Sequence, residues 1–268
     1  MQKVNIGGHE VSRLILGSNP FSGFSHQGHD RDAEMREYYT VERIIEEMHR
    51  AEDVGINTVI ARGDEKVRAV LKEYWADGGT LQWFCQTCPE MGHPAEQNID
   101  DAAEIGAKAV HIHGGYMDAH VAREEYDPIF EAVERVRSYG MAVGTAGHKV
   151  ETVRWAADNL DLDYFMCSYY NPIKRSGTGE HQHGSQEVYL PEHREAMTGV
   201  IATLPKPAIH YKVMAAGRHD PREAFAYVAQ HLRDGDACCV GVYSGDNVNM
   251  VAENAENFQA ALESQPVA

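Results

Sequence analysis

Ala109-Val110-His111-Ile112-His113-Gly114-Gly115 is the stretch whose reading decides the fold. Side chains alternate along a strand, so Val110 and Ile112 face one side of a sheet while His111 and His113 face the other. A second run, Ala208-Ile209-His210-Tyr211-Lys212-Val213, repeats the pattern and sets Ile209, Tyr211 and Val213 against His210 and Lys212. If both strands belong to one closed parallel sheet, the apolar sides pack on helices. His111, His113, His210 and Lys212 then point inward. Buried titratable groups cost free energy unless they are partnered or used, so the interior of that sheet is where chemistry is expected.

Outward from these two runs, strand-like apolar segments alternate with helical patterns. The strands are read near Leu14 to Gly17, Asn57 to Ala61, Leu81 to Gln86, Ala109 to His113, Met141 to Thr145, Tyr164 to Ser168, Ala208 to Val213 and Cys238 to Val242. Between them, Ile44, Ile45, Met48, Ala51 and Val54 recur at helical spacing before Gly55, a fitting helix stop. Similar segments cover Glu65 to Trp75, Ala95 to Ile105, Ala119 to Tyr139, Val150 to Asn159, Pro191 to Thr203, Pro221 to Arg233 and Val248 to Leu262. Strand and helix in alternation predict a parallel sheet with helical crossovers, and eight strands close it. Val4 to Ile6 and Glu10 to Val11, around Gly7-Gly8, form a hairpin ahead of the first barrel strand. The expected fold is α/β: a (β/α)8 TIM barrel with a short N-terminal β-hairpin, one domain over residues 1–268.

The bulk numbers bound the function. At 268 residues, 43% hydrophobic and 24% charged, the chain can bury a large core. Its 41 acidic and 24 basic side chains leave a formal charge of -17, which repels nucleic acid phosphates and anionic membranes. No stretch approaches the roughly twenty apolar residues that cross a bilayer, and no apolar run near the start resembles a signal peptide. A cytoplasmic protein acting on a small-molecule substrate is expected, with no nucleic acid or membrane partner and with oligomeric state left open. The five cysteines suit reduced thiols, and Cys85-Gln-Thr-Cys88 stands alone at a strand end.

Val11-Ser12-Arg13-Leu14-Ile15-Leu16-Gly17, following a hairpin, resembles the opening of the aldo-keto reductase family. In the same order, Asp163-Tyr164-Phe165-Met166-Cys167-Ser168-Tyr169-Tyr170-Asn171 is similar to the family's sixth strand. Tyr211-Lys212-Val213-Met214-Ala215-Ala216-Gly217-Arg218 resembles its seventh. Gly241-Val242 with Glu253-Asn254-Ala255-Glu256-Asn257-Phe258 resembles the closing segment that holds the adenine end of NADP. The resemblance implies an active site at the C-terminal ends of the strands, and Glu253 and Asn254 as cofactor contacts. It does not extend to the redox set of Asp, Tyr, Lys and His. The second strand runs into Ala61-Arg62-Gly63-Asp64 with no Asp-Thr-Ala at its end, the Tyr-Gly beyond it is absent, and Gln86 stands where the Lys is expected. His113 is the one position that matches.

Losing Tyr and Lys removes the acid that protonates a newly formed alkoxide. The expected activity is therefore acid/base chemistry without redox, an isomerase, lyase or hydratase acting on a small polyol or carbonyl compound. Two alternatives stand beside it: an NADPH-dependent carbonyl reductase with a substituted proton donor, and a non-catalytic barrel that binds a metabolite or a protein. The candidate catalytic residues are His113, Lys212 and Tyr170, and the candidate substrate contacts are Asn19, Arg62, Gln86, His148 and Asn171. Asp64 reads better as a helix cap than as a contact. A divalent metal would draw on His111, His113, His148 and His210, for which the sequence offers no clear carboxylate partner. Glu180-His181-Gln182-His183 has a spacing more often incidental than ligating. The connections Ser18 to Thr40 and Asn171 to Leu190 exceed simple turns and suit lids over the catalytic face.

Overall fold

The computed structural model describes residues 1–89, 95–171 and 187–265. Strands β1 (Lys3–Ile6) and β2 (His9–Ser12) pair antiparallel as the hairpin. Eight further strands close a parallel barrel: β3 (Leu14–Gly17), β4 (Thr58–Arg62), β5 (Gln82–Gln86), β6 (Ala109–Ile112), β7 (Ala142–Gly147), β8 (Tyr164–Ser168), β9 (Ala208–Tyr211) and β10 (Ala237–Gly241), with β10 returning to β3. Every barrel strand expected from the sequence is present, with ends shifted by no more than a residue or two.

Ten α-helices are found among the described residues: α1 (His29–Tyr38), α2 (Val41–Asp53), α3 (Glu65–Ala76), α4 (Ala95–Ile105), α5 (Gly114–Arg123), α6 (Asp127–Ser138), α7 (Val150–Asn159), α8 (Pro191–Ile201), α9 (Pro221–His231) and α10 (Met250–Glu263). One expectation is corrected. The single helix read over Ala119 to Tyr139 is two, because the chain turns left-handed at Glu124 (φ 60°) and restarts with Pro128 in the first turn of α6. The connection Ser18 to Thr40 carries a 3-10 turn at Asn19–Ser22 followed by α1.

Two apolar layers follow from the strand period. Leu16, Val59, Cys85, Val110, Ile112, Val143, Phe165 and Val240 pack outward in the cluster that includes the helices, while Ile15, Ile60, Phe84, Ala109, Tyr164, Met166, Ile209 and Cys239 fill the interior. This assignment holds for β6 but overturns the reading of β9. Ile209 and Tyr211 belong to the interior, whereas His210 meets Tyr169 Oη at 2.9 Å and Asp236 at 3.3 Å beside residues of the outer layer. The apolar count on β9 misleads because Tyr211 is an amphipathic side chain whose hydroxyl has a polar use inside. Lys212 nonetheless reaches the barrel mouth. The strand ends at Tyr211, and Lys212 turns left-handed (φ 58°), which breaks the alternation.

The hairpin closes the N-terminal end of the barrel, with Ile6 and Val11 joined to the interior cluster. At its tip Gly7 (φ 60°) approaches Ala142 so closely that a Cβ there would lie 2.3 Å from that residue's Cβ. At the start of α3, Asp64 caps the helix by accepting from the Val67 amide at 3.0 Å, as its sequence position suggested.

Candidate active site

A cavity of about 220 Å³ opens at the C-terminal ends of β3, β4, β5, β9 and β10. Its floor is the interior layer, Ile60, Met166 and Cys239, and its wall carries Asn19, Arg62, Gln86, Tyr211 and Lys212. Four of the sequence candidates, Asn19, Arg62, Gln86 and Lys212, are thus brought to one space from four different strand ends. Arg62 and Gln86 are register partners on β4 and β5, which sets their side chains side by side. Arg62 is held at 5% exposure under the Phe24 ring, 4.7 Å from its centroid, with Nε 3.4 Å from Asp64.

The other candidates lie elsewhere. His113 ends β6 and donates its backbone N–H to Thr87 Oγ1 at 2.9 Å, but its side chain is not among those lining the cavity. Tyr170 is buried, its hydroxyl 2.7 Å from His219 Nε2 and its ring beside Tyr189, again outside the cavity lining. Burial pushes the Tyr170 phenol pKa up. Asn171 is half-buried at the edge of the described chain, and the Glu180-His181-Gln182-His183 motif lies outside the described residues.

His148 is buried and does not line the cavity itself. Its Nδ1 meets Asp118 Oδ2 at 2.9 Å and its Nε2 meets the Tyr211 hydroxyl at 3.3 Å. Asp118 is 1% exposed and also accepts from the His148 amide at 3.3 Å. A carboxylate on Nδ1 fixes the neutral imidazole with its proton there, leaving Nε2 to accept from the phenol. The result is a chain from Asp118 through His148 to Tyr211, ending at the cavity. Gly114 makes room for it: a Cβ at that position would sit 2.8 Å from His148 Cε1 and 3.3 Å from Tyr211 Oη. Tyr211 and Asp118 were both missed in the sequence. Tyr211 counted as apolar, and Asp118, within α5, joins His148 only through tertiary packing.

A second chain reaches the cavity at Lys212. Its Nζ lies 2.7 Å from His26 Nε2, and His26 Nδ1 lies 2.7 Å from Glu187 Oε1. Burial, and after it the charge of Lys212, lowers the His26 pKa, which favours a neutral ring that donates to Glu187 and accepts from Lys212. Glu187, although burial opposes it, is brought down to about 2 by its hydrogen bonds to His26 and Tyr189 and by the charge of Lys212. The backbone fixes this arrangement, since Arg218 donates to the His26 carbonyl at 3.1 Å and Gln27 to the Ala216 carbonyl at 2.8 Å.

The imidazoles do not converge. His111 is in the barrel interior with Nδ1 3.4 Å from Tyr164 Oη, His148 serves Tyr211, and His210 is turned toward Asp236. Among the described residues no group of three or more His, Cys, Asp or Glu side chains is placed to hold a metal ion. Glu253 is exposed and accepts from Asn247 Nδ2 at 2.8 Å, while Asn254 is buried, and neither lines the cavity. From Gly241 to Ala268 the chain has no Lys or Arg. Arg31, which reaches this segment, is committed to Asp246 and Glu34. This segment therefore brings no Lys or Arg of its own to a dinucleotide phosphate.

Eight parallel strands closed over a basal hairpin, with polar groups gathered at the strands' C-terminal ends, make a (β/α)8 barrel. The fold is similar to that of a Pseudomonas aeruginosa protein described as an aldo-keto reductase, at 18% identity and a TM-score of 0.64 over 97% of this chain and 95% of that one. It is similar also to the holo form of an aldo-keto reductase from Bacillus halodurans, at 15% identity and a TM-score of 0.62 over 100% of this chain and 93% of the other. No family model and no curated protein sequence matches the chain. Among the described residues no helix is long and apolar enough to cross a membrane.

Proposed function

We propose that this protein is an enzyme that moves a proton at a carbonyl- or hydroxyl-bearing carbon of a small molecule, as an isomerase, lyase or hydratase does. The observation that carries this reading is the chain from the buried Asp118 and His148 to the half-buried Tyr211, which ends at the cavity. In the resting arrangement the Tyr211 proton is directed to His148 Nε2. Tyr211 oxygen is therefore set to accept a proton from substrate while its own passes to His148, and Asp118 balances the resulting imidazolium. The Lys212 ammonium, held at the same wall by His26, would stabilise the negative oxygen that develops next to the carbon losing its proton. His113 and Tyr170, the groups first favoured by the sequence, have in this reading a supporting role.

The test is hydrogen exchange. Small oxo and hydroxy compounds incubated with the protein in deuterium oxide should incorporate deuterium at the carbon beside the carbonyl, read by NMR. Tyr211→Phe and His148→Ala should slow that exchange by about 10²–10⁴-fold. Equal exchange in wild type and Tyr211→Phe would sink the assignment.

A second reading, carbonyl reduction with Tyr211 as the substituted proton donor, is favoured by the likeness in fold to aldo-keto reductases. Calorimetric titration separates the two. Saturable binding of NADPH or NADH together with absent deuterium exchange would favour reduction, and exchange without dinucleotide would favour the first reading.

A further inference from the structure

We infer that the substrate is uncharged: a small polyhydroxy ketone or aldehyde whose hydroxyl groups meet Ser18, Asn19 and Gln86 while its reacting oxygen lies toward Tyr211. This inference rests on the proton-transfer reading and adds the substrate's class and direction. The charged side chains that line the cavity are engaged within the protein. Arg31 is paired with Asp246 and Glu34, Arg62 with Asp64, and Lys212 with His26, which in turn meets Glu187. Of the neutral groups, Ser25 donates to Asp32, Gln27 to the Ala216 carbonyl, and Tyr189 and Tyr243 to Glu187 and Glu34. The side chains of Ser18, Asn19 and Gln86 also line the cavity and, among the described residues, make no hydrogen bond. The side-chain groups left for a ligand to satisfy are thus one hydroxyl and two primary amides, and none of them is charged.

Hydrogen-bonding chemistry selects the partner. A primary amide presents both donors and an acceptor, and a hydroxyl does the same, so each can satisfy the other with both roles used. A carboxylate only accepts, and it would leave the amide carbonyls facing its own charge. The three groups stand on fixed backbone. Gln86 ends β5, where its carbonyl accepts from the Gly63 amide at 2.9 Å. The Ser18 amide donates to the Ile60 carbonyl at 3.1 Å, and the Asn19 carbonyl accepts from the Phe24 amide at 3.0 Å. Ser18 and Asn19 follow β3 while Gln86 ends β5, with β4 between them, so a ligand that meets both sides must carry more than one hydroxyl. The cavity floor is apolar, Ile60, Met166 and Cys239, which suits the C–H face of a short carbon chain. At about 220 Å³ the cavity falls below the range usual for drug-sized ligands, which limits the molecule to a few carbons.

Titration with four-carbon probes, followed by NMR of the ligand, tests this, because equal carbon number leaves hydroxyls and charge as the variables. The probes are erythrulose with three hydroxyls, 1-hydroxy-2-butanone with one, 2-butanone with none, and 2-oxobutanoate as the anion. Each hydroxyl should tighten binding by about three- to tenfold, and 2-oxobutanoate should bind more weakly than erythrulose. Gln86→Met and Asn19→Ala should each cut the advantage of erythrulose over 2-butanone by about three- to tenfold while 2-butanone binds as before. A merely structural role would weaken both ligands together. Either variant suffices if the other fails to fold. The inference would be overturned by 2-butanone binding as tightly as erythrulose, by 2-oxobutanoate binding tighter than erythrulose, or by an erythrulose advantage surviving intact in both variants. No erythrulose binding at tens of millimolar would overturn it equally. Tyr211→Phe separates this result from the proton-transfer reading, since it should slow deuterium exchange and keep the order of affinities. Hydroxyl preference without exchange in the wild type would count against the chemistry and not against the hydroxyl site, and exchange without that preference would count against this inference alone.

Discussion

Gly114 shows how much of the site depends on a missing side chain. Because a Cβ there would approach His148 to 2.8 Å, Gly114→Ala should push the imidazole off Tyr211. We expect a stability loss of about 1–3 kcal/mol by urea denaturation, together with a fall in deuterium exchange close to that of His148→Ala. Asp236 illustrates the opposite case, a buried charge that holds structure. It is fully buried, accepts from the Ala208 amide at 2.7 Å and from Arg233 Nε at 2.8 Å, and meets His210 at 3.3 Å. Burial opposes its charge, but His210 and Arg233 overcome that and bring its pKa down to about 2. Removing one member of such a network strands the others, so Asp236→Ala should cost about 3–5 kcal/mol in the same assay without altering ligand preference.

At the scale of elements, the hairpin of β1 and β2 and the turn after β9 decide what the barrel ends are for. The hairpin seals the N-terminal end through Ile6 and Val11, and Gly7 allows its tip to touch β7. Gly7→Val would meet both a left-handed backbone and a neighbour at 2.3 Å. It should lower the thermal midpoint, reflecting strain of about 1–3 kcal/mol, while the distant cavity keeps its ligand affinity. A midpoint unchanged from wild type would mean that the hairpin does not pack on the barrel as described. At the other end, the left-handed turn at Lys212 takes the chain out of strand geometry just where alternation would have aimed this side chain away from Tyr211. Both can therefore serve one cavity.

For the whole molecule, acid should be the destabilising direction, and the sign follows from the groups involved. His111 is buried in the barrel interior, and burial lowers its pKa from the ordinary 6.5 to about 3. The unfolded chain therefore takes up that proton first, and stability falls as pH drops from 6.5 toward 3. Glu187 and Asp236, both near 2 when folded, contribute stability that is full above their ordinary values of 4.5 and 3.8 and is lost as pH falls from there toward 2. Urea midpoints measured across pH should decline below 6.5 and steepen below 4.5, and His111→Gln should flatten the upper part of that decline. The barrel itself was legible before any of this. Alternating strands and amphipathic helices carry their own periods, and a chain of this length that must bury their apolar faces closes eight strands into one core. Arg62, Gln86, Asn19 and Lys212 were legible too, because strand ends mark the mouth of a barrel. What only the tertiary structure decided is which polar groups meet. Parity along β9 depends on where the strand stops, and Tyr211 reads as apolar until its hydroxyl finds His148. Asp118, His26 and Glu187 gain their roles from helices and loops folded across the barrel mouth. Sequence periodicity reports which face each residue takes within its own element, whereas a proton-transfer chain is made of contacts between elements.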